Sequence, residues 1–61
     1  MRERKYIAFY DDGHDYGDFE FYSYHRANSK ANIEDAKDKA KSKFGYKRAR
    51  AIQITSTALQ E

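Results

Sequence analysis

The residues with most capacity for chemistry lie in one octet, DDGHDYGD, at positions 11–18. Asp11, Asp12, Asp15 and Asp18, with His14, are donor types that a hard or borderline cation uses. Their spacing is not that of an EF-hand loop, because the glycine comes too early and no bidentate glutamate closes the run. Two other readings suit the same residues. The aspartates can bond their own backbone in turns, with Gly13 and Gly17 permitting positive φ, which makes a solvated hairpin loop. An acidic loop can also imitate phosphate and occupy a basic groove on another protein. In that case Asp11, Asp12, His14, Asp15 and Asp18 are the partner-binding residues. The expectation is no metal and no cofactor.

A second cluster is basic. Residues 37–50 hold seven Lys and Arg against one acid. Such a run on a helix is ordinarily a solvated face. The alternative sets Lys37, Lys41, Lys47, Arg48 and Arg50 on nucleic-acid phosphates, with salt-sensitive binding and little sequence preference. His14 and His25 are separated by a strand-like run and could tune an interface with pH. No spacing sets up a Ser–His–Asp triad or a carboxylate pair, and the chain barely suffices to build a pocket. The expectation is a protein that is not an enzyme.

The 61 residues allow a single small domain of marginal stability. There is no cysteine, so disulfides and thiolate zinc sites are excluded and a tight core or self-association must supply stability. The net charge of +2 conceals a polarity: residues 11–20 carry −5 and residues 21–61 carry +5. The charged start and the lack of a long apolar run predict no secretory signal, no membrane partner and a cytoplasmic location.

These groups need a frame to hold them. Residues 5–10 (KYIAFY) and 19–25 (FEFYSYH) predict two strands joined by the acidic loop as a hairpin. A helix follows, with Ser29 or Asn32 as N-cap, an apolar stripe of Ile33, Ala36, Ala40 and Phe44, and Gly45 as its stop. Residues 47–55 (KRARAIQIT) predict a third strand, and residues 1–4 and 56–61 predict frayed ends. The expected fold is α+β: a three-stranded antiparallel-type sheet with one helix on one face, in the order β-β-α-β. Ile7, Phe9, Phe19, Phe21, Ile52 and Ile54 are expected under the helix.

One helix leaves the other sheet face bare, and Tyr6, Tyr10, Tyr22 and Tyr24 are expected there. Such a patch fits a homodimer interface, a docking surface for another protein, or a stacking platform for single-stranded nucleic acid. It also fits tyrosines that simply favour strands.

The short KYIAFY and FEFYSY strands, the DDGHDYGD loop and the single lysine-rich helix resemble the very small, cysteine-free early proteins of bacteriophages, including anti-defence inhibitors. The resemblance implies a non-enzymatic protein that binds and inhibits or modulates a host protein, such as a defence or nucleic-acid-handling factor, as a homodimer.

Overall fold

The computed structural model describes residues 2–60. The elements are β1 (Arg4–Asp11), β2 (Tyr16–Ser23), α1 (Lys30–Phe44), α2 (Tyr46–Ala49) and β3 (Gln53–Leu59). β1 is the middle strand and runs antiparallel to both neighbours. The chain leaves β2 at one edge, passes through α1 and α2, and returns as β3 at the other edge. This is the expected α+β fold, with β-β-α-β order and one short helical turn added. Among the described residues no helix is long and apolar enough to cross a membrane.

The hairpin register decides which residues form the core. Asp11 lies opposite Tyr16, Ala8 opposite Phe19 and Tyr6 opposite Phe21. Directly opposed residues of an antiparallel pair point to the same side. Even-numbered residues of β1 therefore join odd-numbered residues of β2 beneath α1. Tyr6 is only 5% exposed, whereas Phe9 is 39% exposed. The expected assignment of β1 is thus reversed: Tyr6 and Tyr10 lie on the helix side, and Ile7 and Phe9 lie on the open face.

Side-chain volume explains the reversal. Ala8, Ala36 and Ala40 are all buried and form a thin central layer where helix and sheet approach closely. Large rings fill the space around that layer. Tyr6 stacks on Phe21 with centroids 5.6 Å apart. Tyr10 sits between Phe19 at 5.8 Å and Phe44 at 5.6 Å. Its ring also lies over Gly17, its cross-strand partner, where an added Cβ would come within 2.5 Å of the Tyr10 hydroxyl.

α1 begins at Ser29, whose Oγ accepts the backbone N–H of Asn32 at 3.2 Å. Asn32 is therefore inside the first turn, fully buried, and is not the cap. The apolar stripe holds, with Ala36 and Ala40 buried and Ile33 and Phe44 packed at its ends. Gly45, at φ 89°, closes α1 and opens α2.

Residues 47–49, expected to start the third strand, belong to α2 instead. They include no β-branched residue, and Arg48 anchors the turn. Its guanidinium lies 5.2 Å from the Phe44 ring centroid and 3.8 Å from an Asp12 carboxylate oxygen. Arg48 and Arg50 consequently share no strand face with Ile52 and Ile54. Those two isoleucines are buried, as expected.

β3 runs on to Leu59, so residues 56–59 are strand where a frayed tail was expected. Arg4 likewise belongs to β1; Met1 and Glu61 lie outside the described residues. A bulge interrupts the ladder: Phe9 faces Ser56 and Tyr10 faces Ile54, which leaves Thr55 over. The Thr55 hydroxyl donates to the Phe9 carbonyl at 3.1 Å. One extra residue changes the parity of the strand. It allows Ile54 and Thr57, three positions apart, both to face the core.

Candidate interaction face of the sheet

Both helices pack on one side of the sheet, and no described element covers the other. β1 contributes Lys5, Ile7, Phe9 and Asp11 to the open face, and β2 contributes Tyr16, Asp18, Glu20 and Tyr22. β3 adds Gln53, Ser56 and Ala58. Ile7, Phe9, Tyr16 and Tyr22 supply the apolar and aromatic part, with Tyr16 86% and Tyr22 58% exposed. One cation and three carboxylates surround them. Lys5 is held by Glu20 at 3.3 Å, so Asp11 and Asp18 remain as the excess charge.

Of the four tyrosines expected on this face, Tyr22 is there. Tyr6 and Tyr10 are under α1. Tyr24 lies past the end of β2 and lines a cleft with Tyr6 and three arginines on the other side. On β1 and β2 the residues that sequence reasoning missed are Lys5, Ile7, Phe9, Tyr16 and Glu20. The charge alternation Asp18, Glu20 against Phe19, Phe21 pointed to β2's exposed side, and the hairpin register carries that side across to Ile7 and Phe9.

The acidic loop is four residues, 12–15, between the paired ends of β1 and β2. Two of its neighbouring aspartates serve its own backbone. Asp11 Oδ1 accepts from the Gly13 N–H at 2.7 Å. Asp12 Oδ1 accepts from His14 at 2.9 Å and Asp15 at 2.8 Å. Those N–H donors, Asp15's first and His14's second, favour the ionised carboxyl, and Arg48 adds a weaker attraction. They hold Asp12 below its ordinary value of 3.8. Asp12 also turns its other oxygen to Arg48, which ties the loop to α2. His14, Asp15 and Asp18 are exposed and available to a partner. Among the described residues no group of three or more His, Cys, Asp or Glu could hold a metal ion.

Lys37, Lys41, Lys47, Arg48 and Arg50 are all exposed on the helical side. They do not form one free cationic surface. Lys41 lies 3.9 Å from Asp38, and Arg48 is occupied by Phe44 and Asp12.

No family model, curated protein or solved structure matches this chain.

Proposed function

We propose that this chain is a non-enzymatic binding domain that docks its open sheet face on a basic surface of another protein and modulates that protein. The observation that carries the reading is Phe9. It is a large apolar side chain on the central strand, 39% exposed, next to Ile7 on its own strand, diagonal to Tyr16 on β2, and bordered by Asp11, Asp18 and Glu20. Aromatic anchors inside a polar rim are the usual anatomy of a protein interface. The excess carboxylates select a cationic partner, of the kind that ordinarily holds phosphates. This accords with the small phage-encoded inhibitors that the chain resembles, for which the partner is a host defence or nucleic-acid-handling factor.

The same face supports a weaker homodimer, in which Ile7 and Phe9 of two copies meet. The carboxylates of the two copies then repel, so added salt strengthens the homodimer. Added salt weakens docking on a cationic partner. The signs are opposite, which separates the two contacts.

The test is capture of host proteins by tagged wild-type chain and by the double variant Phe9→Ser, Tyr22→Ser. A protein held by the wild type alone, and displaced by salt or by excess DNA, supports docking through this face. Identical capture by both forms refutes it.

A further inference from the structure

A cleft of about 340 Å³ opens on the helical side of the sheet, at the end opposite the acidic loop. It is lined by Arg2, Arg4, Tyr6, Tyr24 and Arg26. Arg4 faces Ser23 across the hairpin and so shares the helix-side face with Tyr6. Three arginines thus line one concavity, and among the described residues no carboxylate lines it. The described ion pairs use Lys5, Lys41 and Arg48, and none of these three arginines.

The cleft is built on fixed backbone. The Arg26 carbonyl accepts from both the backbone N–H of Ser29, at 3.2 Å, and its hydroxyl, at 2.8 Å. Tyr24 is braced on both sides. Ser23 Oγ donates to Asp35 at 2.6 Å and accepts from the His25 N–H at 3.1 Å. Tyr24 is 54% exposed.

Three cations round one small concavity repel each other, and a multiply charged anion removes that cost. Planar guanidinium forks match the oxygens of phosphate, and an exposed tyrosine ring offers a stacking surface for a base. The volume is at the low end for small-molecule sites, suited to a phosphate with one nucleoside and too small for a folded segment of protein. We infer that this cleft binds a nucleoside phosphate, with Arg2, Arg4 and Arg26 on the phosphate and Tyr24 against the base. The site is independent of the open sheet face and stands whether or not that face docks a protein. Its ligand is a free mononucleotide or the phosphorylated end of a single strand, which present the same chemistry.

The experiment follows backbone amide signals of the full chain during titration with four probes. These are adenosine 5′-monophosphate, adenosine, and a short single-stranded DNA with and without a 5′-phosphate. The nucleotide is expected to move the signals of Arg4, Tyr24 and Arg26 saturably, and adenosine is expected to leave them in place. Tighter binding of the phosphorylated strand identifies the strand end as the source, and tighter binding of the nucleotide identifies the free form. Arg26→Gln is expected to weaken nucleotide binding about tenfold while the circular dichroism spectrum stays that of wild type. Arg4→Gln is expected to do the same, and Lys37→Gln is expected to leave binding unchanged. Three results each overturn the site: equal binding of adenosine and the nucleotide, shifts confined to the helix lysines, or no saturation in the millimolar range.

Discussion

Asn28 and Thr57 are joined by three hydrogen bonds. The Asn28 side-chain oxygen accepts from the Thr57 N–H at 2.8 Å, and its amide nitrogen donates to the Thr57 carbonyl at 3.0 Å. The Asn28 backbone N–H donates to the Thr57 hydroxyl at 2.8 Å. Asn28 adopts φ 65°, a left-handed conformation that asparagine tolerates well. Its side-chain amide thereby stands in for a neighbouring strand. The network continues inward, where the Thr57 hydroxyl donates to Asn32 Oδ1 at 2.6 Å and Asn32 Nδ2 donates to the His25 carbonyl at 2.9 Å. Connecting loop, helix and edge strand are fastened at one point.

Two substitutions at position 28 separate the bonds from the backbone. Asn28→Gly keeps the left-handed conformation and loses the side-chain bonds, at a cost of about 1–2 kcal/mol. Asn28→Ala loses both and is expected to cost about 1 kcal/mol more. Thermal denaturation of the two variants gives the order; equal midpoints would show that φ contributes nothing.

Asn32→Asp places a carboxyl in a fully buried position beside the His25 carbonyl. The charged form is unpaired there, so the loss at neutral pH is about 3–5 kcal/mol. Burial raises this group's folded pKa above its unfolded value. The variant therefore regains stability as pH falls through the folded pKa, opposite to an ordinary acid-labile carboxylate. Urea midpoints measured against pH should show this inversion, and a variant that weakens steadily toward acid would contradict it.

Asp12 behaves in the other direction. Its carboxyl is held low in the folded chain by the backbone N–H groups of Asp15 and His14, and by Arg48. Its contribution is complete above the unfolded value of 3.8 and disappears as pH falls through the lower folded value. Asp12→Asn keeps the acceptor oxygen and removes the charge. The acid-side loss of stability should be shallower in this variant, as read from denaturant midpoints between about pH 6 and about pH 2. Unchanged steepness would assign the acid sensitivity to other carboxylates.

Gly17→Ala tests the packing of Tyr10. The new methyl meets the Tyr10 ring carbons and hydroxyl, and Tyr10 is confined by Phe19 and Phe44. Overpacking of this kind costs about 1–3 kcal/mol. The double variant Gly17→Ala, Tyr10→Leu should be less unstable than the sum of its parts, because the clash is gone. Strict additivity would place the cost elsewhere.

The β2 strand was legible because Phe19 and Phe21 alternate with Asp18 and Glu20, and water decides between such sets. β1 was not, because Ile7 and Phe9 alternate with Tyr6, Ala8 and Tyr10, and both sets are apolar. A hydrophobicity ranking favours isoleucine and phenylalanine, but the space beside three buried alanines is filled better by tyrosine rings. Loop parity could have resolved it, since a hairpin loop with an even number of residues sets even positions opposite odd ones. The third strand was misplaced at its start because Lys, Arg and Ala accept helix or strand, and the Arg48 contacts that choose helix come from distant parts of the chain. The arginine cleft was invisible for a related reason. Arg2 and Arg4 lie far from Arg26 in the sequence, and the lysine run on α1 is the louder signal.

The Asn28 amide has one more effect. In an antiparallel strand the N–H and C=O of a residue point to the same side, so the pair that Thr57 gives to Asn28 is the pair facing away from β1. β3 is therefore blocked at Thr57 against another strand, whereas among the described residues no side chain caps the outer edge of β2 in this way. A second chain that paired along β3 would meet this obstruction at Thr57, so the edge is a poor template for the endless ladder that small three-stranded sheets can build.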